Sequence, residues 1–213
     1  MDTILYMVRH GETDANASGI LQGHSDHPLN ARGLLQAELA AERLKDESFD
    51  VILSSDLSRA LVTAQKIAAG RTVTPMPELR EWNLGTWQGY SLQQVRELFP
   101  EEYAPFAAGD PDAAPKNGES TNRILARVRS VLQLITQKYS GRKILCVTHG
   151  GVIKQALKVV LDLEKFNRSP VCENTSISRF LYGESNGWQL VSWNDHAHLN
   201  ASFPIRNRTS IME

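Results

Sequence analysis

The chain has 213 residues, 41% of them hydrophobic and 22% charged, enough to close one sizeable core and unlike a disordered or fibrous composition. With 23 Lys and Arg against 24 Asp and Glu the formal net charge is -1, so there is no global basic field to hold nucleic acid or an anionic membrane, and any anion site must be local. Apolar runs such as Ile144 to Val147 fall far short of the about 18 residues of a spanning helix.

The first residues run straight into a strand-like segment without the basic start and apolar middle of a signal peptide, which makes the cytoplasm the expected compartment. Thr3 to Val8 reads as a buried strand that ends in Arg9-His10-Gly11 and so delivers polar residues at its C-terminal end. Asn30 can cap a helix from Ala31 to about Asp46, with Leu34, Ala37, Ala41 and Leu44 on the face expected to meet a sheet. Val51 to Leu53 is a second strand. Ser54-Ser55-Asp56 suits the start of a helix from Leu57 to about Ala69, which Gly70 stops.

From Trp82 to Gly118 the pattern loosens, and four prolines interrupt two helical pieces near Leu92 to Phe99 and Glu101 to Ala107. The stretch from about Gly85 to Gly118 reads as a small lid over a site. Ser120 or Thr121 caps the clearest helix, with Ile124, Leu125, Val128, Val131, Leu132 and Ile135 at the helical period. Lys143 to Thr148 is a buried strand ending in His149-Gly150-Gly151, followed by helical periodicity from Val152 to Leu161. Ile177 to Tyr182 and Trp188 to Trp193 form a closing hairpin, and 201–213 reads as a C-terminal tail.

Strands alternating with helices predict one α/β domain over residues 1–200. It should be a three-layer sandwich with a mostly parallel central sheet between helices, its ligand lying outside the carboxyl ends of the strands. The polar strand tips then converge, bringing together Arg9, His10, Arg59 and His149, with Glu81 from the start of the loose region. Guanidinium forks match phosphate oxygens, and a neutral imidazole can carry a phosphoryl group through a covalent intermediate without a metal.

In their order and context these residues resemble the histidine phosphatase superfamily, in the branch of the cofactor-dependent phosphoglycerate mutases, fructose-2,6-bisphosphatases and α-ribazole phosphatases. Arg9-His10-Gly11-Glu12-Thr13 resembles its RHG signature, Ser54 to Ala60 its second arginine segment, Leu79-Arg80-Glu81 its proton-donor segment, and Thr148-His149-Gly150-Gly151 its second histidine segment. The resemblance implies that His10 accepts the phosphoryl group, that Arg9, Arg59 and His149 clamp it, and that a protonated Glu81 serves the leaving oxygen. It further implies that Asn16, Gln22 and the amide of Gly150 bind substrate.

A metal-independent phosphomonoesterase acting on a small phosphorylated metabolite, with no cofactor, is therefore expected. The alternatives are a phosphoglycerate mutase, which shares the first half-reaction, and a non-catalytic phosphate-binding regulatory module. The substrate stays open among sugar phosphate, phosphoglycerate and α-ribazole phosphate. A homodimer is compatible with the sequence, which does not fix the oligomeric state.

Three features are assigned to structure. The imidazoles of His24-Ser25-Asp26-His27 and Asp195-His196-Ala197-His198 are read as turn residues, not metal ligands. Trp82, Trp87 and Trp193 are packing residues. Cys146 and Cys172 have neither disulfide-framework nor metal-knuckle spacing and should be reduced and inert.

Overall fold

Side chains alternate across the central strand β1 (Thr3–Arg9): Leu5 and Met7 enter one apolar cluster, Tyr6 and Val8 a second on the opposite face. Such two-sided burial forces helices onto both faces of the sheet. The computed structural model, which describes residues 1–166 and 168–199, shows this arrangement; the tail expected at 201–213 lies outside the described residues.

After β1 come the short helix α1 (Asp14–Ala17), α2 (Ala31–Arg43), β2 (Val51–Ser54), α3 (Ser58–Ala68) and β3 (Thr74–Pro75). Then follow α4 (Leu92–Leu98), α5 (Pro100–Ala107), α6 (Thr121–Lys138), β4 (Lys143–Thr148), α7 (Gly150–Val160), and the hairpin β5 (Ile177–Gly183) and β6 (Gly187–Asp195). The sheet order is β3-β2-β4-β1-β5-β6, parallel from β3 to β1, with β5 and β6 antiparallel. Residues of α6 and α7 pack in the cluster with Leu5, Ile144 and Cys146, while those of α2 and α3 pack with Tyr6, Ile52 and Leu145. The expected three-layer sandwich is thus the fold.

Local signals hold at several boundaries. Asn30 caps α2 by accepting from the Gly33 amide, and Ser120, not Thr121, caps α6 by accepting from Arg123. The buried face of α2 differs from the periodicity reading, because Gly33, Gln36, Ala37 and Ala40 point inward while Leu34 is 40% exposed. The cause is a backbone contact: a Cβ on Gly33 would lie 2.0 Å from the Glu12 carbonyl oxygen, so this glycine lets α2 press against the loop after β1 and sets its rotation.

Helix α3 has no side-chain cap from 54–56. Instead Asp26, from a distant loop, accepts from both the amide and the hydroxyl of Ser58. The segment expected to be a lid has its own packing, with Trp87 only 1% exposed and Phe106 against both Trp82 and Trp87. The Glu102 carboxylate ties it further, accepting from Thr86, Trp87 and the Lys116 amide. Trp193 packs partly buried against the same core. Both cysteines are free and buried, and burial pushes the Cys146 thiol up to about 12. Among the described residues no helix is long and apolar enough to cross a membrane.

Candidate active site

Four of the five residues expected at the strand ends sit where β1, β2 and β4 deliver them, and Glu81 reaches them from the segment after β3. Arg9 ends β1 and His10 follows it; the His10 amide donates to the Thr148 carbonyl at 2.9 Å, binding the tips of β1 and β4 together. His149 precedes the first turn of α7, and Arg59 lies in the first turn of α3. The rings of His10 and His149 meet edge to face with centroids 5.0 Å apart.

His10 is oriented by its own chain. Its Nδ1 lies 2.7 Å from the Gly11 carbonyl oxygen, which can only accept, so Nδ1 carries the proton and Nε2 keeps its lone pair. The Asn174 amide donates to the His10 carbonyl at 2.9 Å, and Thr63 accepts from the Gly11 amide. Burial, then the charges of Arg59 and Arg9, hold the His10 ring well below the usual imidazole range. His149 is lowered in the same way, by burial first and Arg59 next. Both rings are neutral at pH 7.

The guanidiniums are held by carbonyls. Arg9 Nη1 donates to Cys172 O at 2.6 Å; Arg59, fully buried, donates to Ser25 O at 2.9 Å and Gly23 O at 2.8 Å. Asp56, the neighbour that could have balanced Arg59, instead pairs with Arg80 through two short hydrogen bonds. Among the described residues, Arg9 Nε, Arg59 Nε and His149 Nδ1 are buried without a hydrogen-bond partner, while His149 Nε2 faces Ser55 Oγ at 2.8 Å. Unmatched buried donors are costly. Two belong to guanidiniums and one to a neutral imidazole, a set that suits a multiply charged oxyanion.

Glu81 stands at the start of α7, accepting from the Gly151 amide at 3.2 Å through Oε2 and from the Trp82 amide at 2.9 Å through Oε1. A Cβ on Gly151 would lie 2.3 Å from Oε1, so glycine is required for this approach. The backbone carrying Glu81 is clamped by Arg127, whose guanidinium donates to the carbonyls of Glu78, Arg80 and Glu81 and is itself gripped by both carboxylate oxygens of Glu119. His24 Nε2 reaches the Glu81 carbonyl at 2.8 Å.

Asn16 and Gln22 lie one layer back. Asn16 Oδ1 accepts from Thr13 and from Asn174 Nδ2, and Gln22 Oε1 accepts from the Thr13 hydroxyl. Gly150 opens α7 beside Arg9, where its amide is one of the first-turn N–H groups that a helix leaves free. Four of the residues considered for a metal have other partners: besides the roles of His24 and Asp26 described above, Asp195 pairs with Arg43, and His196 Nδ1 bonds the Asn194 carbonyl.

Residue-type reasoning missed Asn174, Ser55 and the Arg127–Glu119 pair. The backbone offers one signal near the first of these: Thr175, a β-branched residue, adopts φ 56° while its amide bonds the Arg9 carbonyl, a strained conformation of the kind found beside functional sites.

Residues 5–196 match the model of the histidine phosphatase superfamily (branch 1). A phosphoglycerate mutase-like protein 4 of Arabidopsis thaliana is 39% identical over 92% of this chain and 86% of its own length. A metal-independent phosphoserine phosphatase of the same plant is 35% identical over 93% and 84%. Among solved structures, a mutant phosphoserine phosphatase of Entamoeba histolytica in complex with phosphoserine aligns with a TM-score of 0.83 and 32% identity, covering 92% of this chain and 99% of that one. The strand-end geometry and this near full-length similarity place the chain in the histidine phosphatase superfamily, branch 1.

Proposed function

We propose that the chain is a metal-independent phosphomonoesterase that acts on a small phosphorylated metabolite through a phosphohistidine on His10. The observation that carries this reading is the buried neutral imidazole of His10, its Nε2 lone pair free, beside guanidinium and imidazole nitrogens that have no hydrogen-bond partner among the described residues.

Nε2 attacks phosphorus and the P–O bond to the alcohol breaks, while Arg9, Arg59, His149 and the Gly150 amide stabilise the charge on the three equatorial oxygens. For His149 to donate from Nδ1, its Nε2 must accept, which the Ser55 hydroxyl satisfies by donating to it. Protonated Glu81 gives its proton to the leaving oxygen. In the second step the same carboxylate takes a proton from water, whose oxygen attacks phosphorus as the P–N bond breaks and inorganic phosphate leaves. Asn16 and Gln22 contribute by bracing the loop beside His10 through Thr13 and Asn174.

Release of phosphate from a panel of small esters in the presence of EDTA tests the reading. The rate is expected to be the same with and without chelator; a collapse that zinc restores overturns it. Transfer of phosphate between the hydroxyls of 3-phosphoglycerate without release would instead favour a mutase, the reading suggested by the phosphoglycerate mutase-like relative.

Two substitutions separate the acid step from the rest. Glu81→Gln should slow alkyl phosphates on the order of 100-fold and p-nitrophenyl phosphate much less, because that leaving group barely needs a proton. Equal losses on both remove Glu81 from the role. Arg127→Ala frees three carbonyls and the Glu119 carboxylate, so it should reproduce the same leaving-group pattern more weakly, roughly tenfold on alkyl esters, together with a lower Tm. Steady-state rates on the two ester classes, with melting curves, check both variants.

A further inference from the structure

A cavity of about 740 Å³ opens between α7, the segment after α5 and the loop after α7. None of the five strand-end residues lines it. Its walls include Trp82, Phe106 and Phe166, together with Gln155, Lys158 and Arg168.

Its position ties it to the catalytic centre. Gly151, Gln155 and Lys158 fall at i, i+4 and i+7 on one stripe of α7, and Gly151 is the residue that binds Glu81. At 1.5 Å per residue Gln155 and Lys158 lie about 6 and 10 Å along the axis from Gly151. Trp82, the chain neighbour of Glu81, forms another part of the wall. The cavity therefore begins beside the group that serves the leaving oxygen.

One buried polar atom in it, and one cation whose stem is packed in its wall, lack a partner among the described residues. Gln155 is 8% exposed and its Oε1 has no hydrogen-bond partner; Lys158 is 9% exposed and its ammonium has neither an ion pair nor a side-chain hydrogen bond. A carbonyl oxygen buried without a donor is unfavourable in the protein alone. Lys165 and Arg168 add positive charge to the rim, and Asp110 and Glu164 do not outweigh the three cations.

We propose that this cavity is the subsite for the alcohol part of the substrate, and that this part carries an apolar body and an acidic group that pairs with Lys158, two helical turns along α7 from the Gly151 that holds Glu81. This rests on the phosphomonoesterase reading. The aromatic walls receive the apolar body, and Gln155 accepts a hydroxyl or amine proton of the same group.

The test compares 4-carboxyphenyl phosphate with phenyl phosphate, which differ by one acidic group. Wild type is expected to show a kcat/KM at least about tenfold higher for the carboxylated ester, by the strength of one charge-assisted hydrogen bond. Lys158→Met should reduce that preference about tenfold, mainly through KM, and Lys158→Arg should restore most of it. Calorimetry on the His10→Ala variant measures binding of the two esters without turnover, so this arm decides the subsite even if the phosphatase reading fails. The proposal is overturned if neither arm prefers the carboxylated ester, or if Lys158→Met weakens both esters equally.

Discussion

His10→Ala is expected to remove turnover altogether, lowering kcat by at least about 10^4-fold and abolishing acid-labile labelling by radioactive phosphate. No other group in the site can replace it: His149 is engaged at Nε2 by Ser55, and both cysteines are buried, with their thiols raised in pKa. Retained activity in the purified variant would overturn the mechanism.

The same variant tests the electrostatics. The folded-state His10 ring is held below 6.5 chiefly by burial, with Arg59 and Arg9 adding to it. The unfolded chain therefore binds a proton near pH 6.5 that the folded chain refuses, so stability falls as pH drops below that value. Without His10 that contribution disappears, although His149, lowered in the same direction, still makes its own. Tm measured from pH 7 to pH 5 should fall less steeply in His10→Ala than in wild type. An NMR titration of wild type should show the ring still neutral where an exposed histidine is half protonated.

Arg59→Ala is expected to cost about 10^3-fold in kcat/KM, because it deletes the fully buried guanidinium to which the proposed mechanism gives a share of the phosphoryl charge. Its effect on stability has two opposing parts. The carbonyls of Gly23 and Ser25 lose their donors, at about 1–3 kcal/mol each when buried. Against this, a desolvated charge beside Arg9 is removed, an environment unfavourable enough to lower the pKa of Arg59 itself. The net loss of stability should therefore be much smaller than the loss of activity, and rate measurements on protein shown to be folded by circular dichroism separate the two. Arg59→Lys should rescue little, since one ammonium cannot span two carbonyls and also face the phosphate. Near wild-type activity in either variant would remove Arg59 from the clamp.

How much of this was legible in the chain depends on the range of the interactions involved. The buried strand runs, the Asn30 cap, the start of α6 to within one residue and the period of α6 are read within a few residues, because hydrogen bonds and packing between near neighbours decide them. The convergence of Arg9, His10, Arg59 and His149 was legible too, since a parallel sheet puts the C-terminal ends of its strands on one edge.

Interactions between distant segments were not legible. The rotation of α2 is set by the backbone of Gly33 meeting that of Glu12, and the start of α3 is satisfied by Asp26, more than thirty residues away. The bracing of His10 by Asn174 and of the Glu81 segment by Arg127 and Glu119 joins groups that share no local pattern. By itself the sequence determined which groups are available for phosphoryl chemistry and which strand ends present them. The tertiary structure alone decided which ring nitrogen is free, which donors are left unmatched and which cavity adjoins them, because those depend on burial and on contacts between segments far apart in the chain.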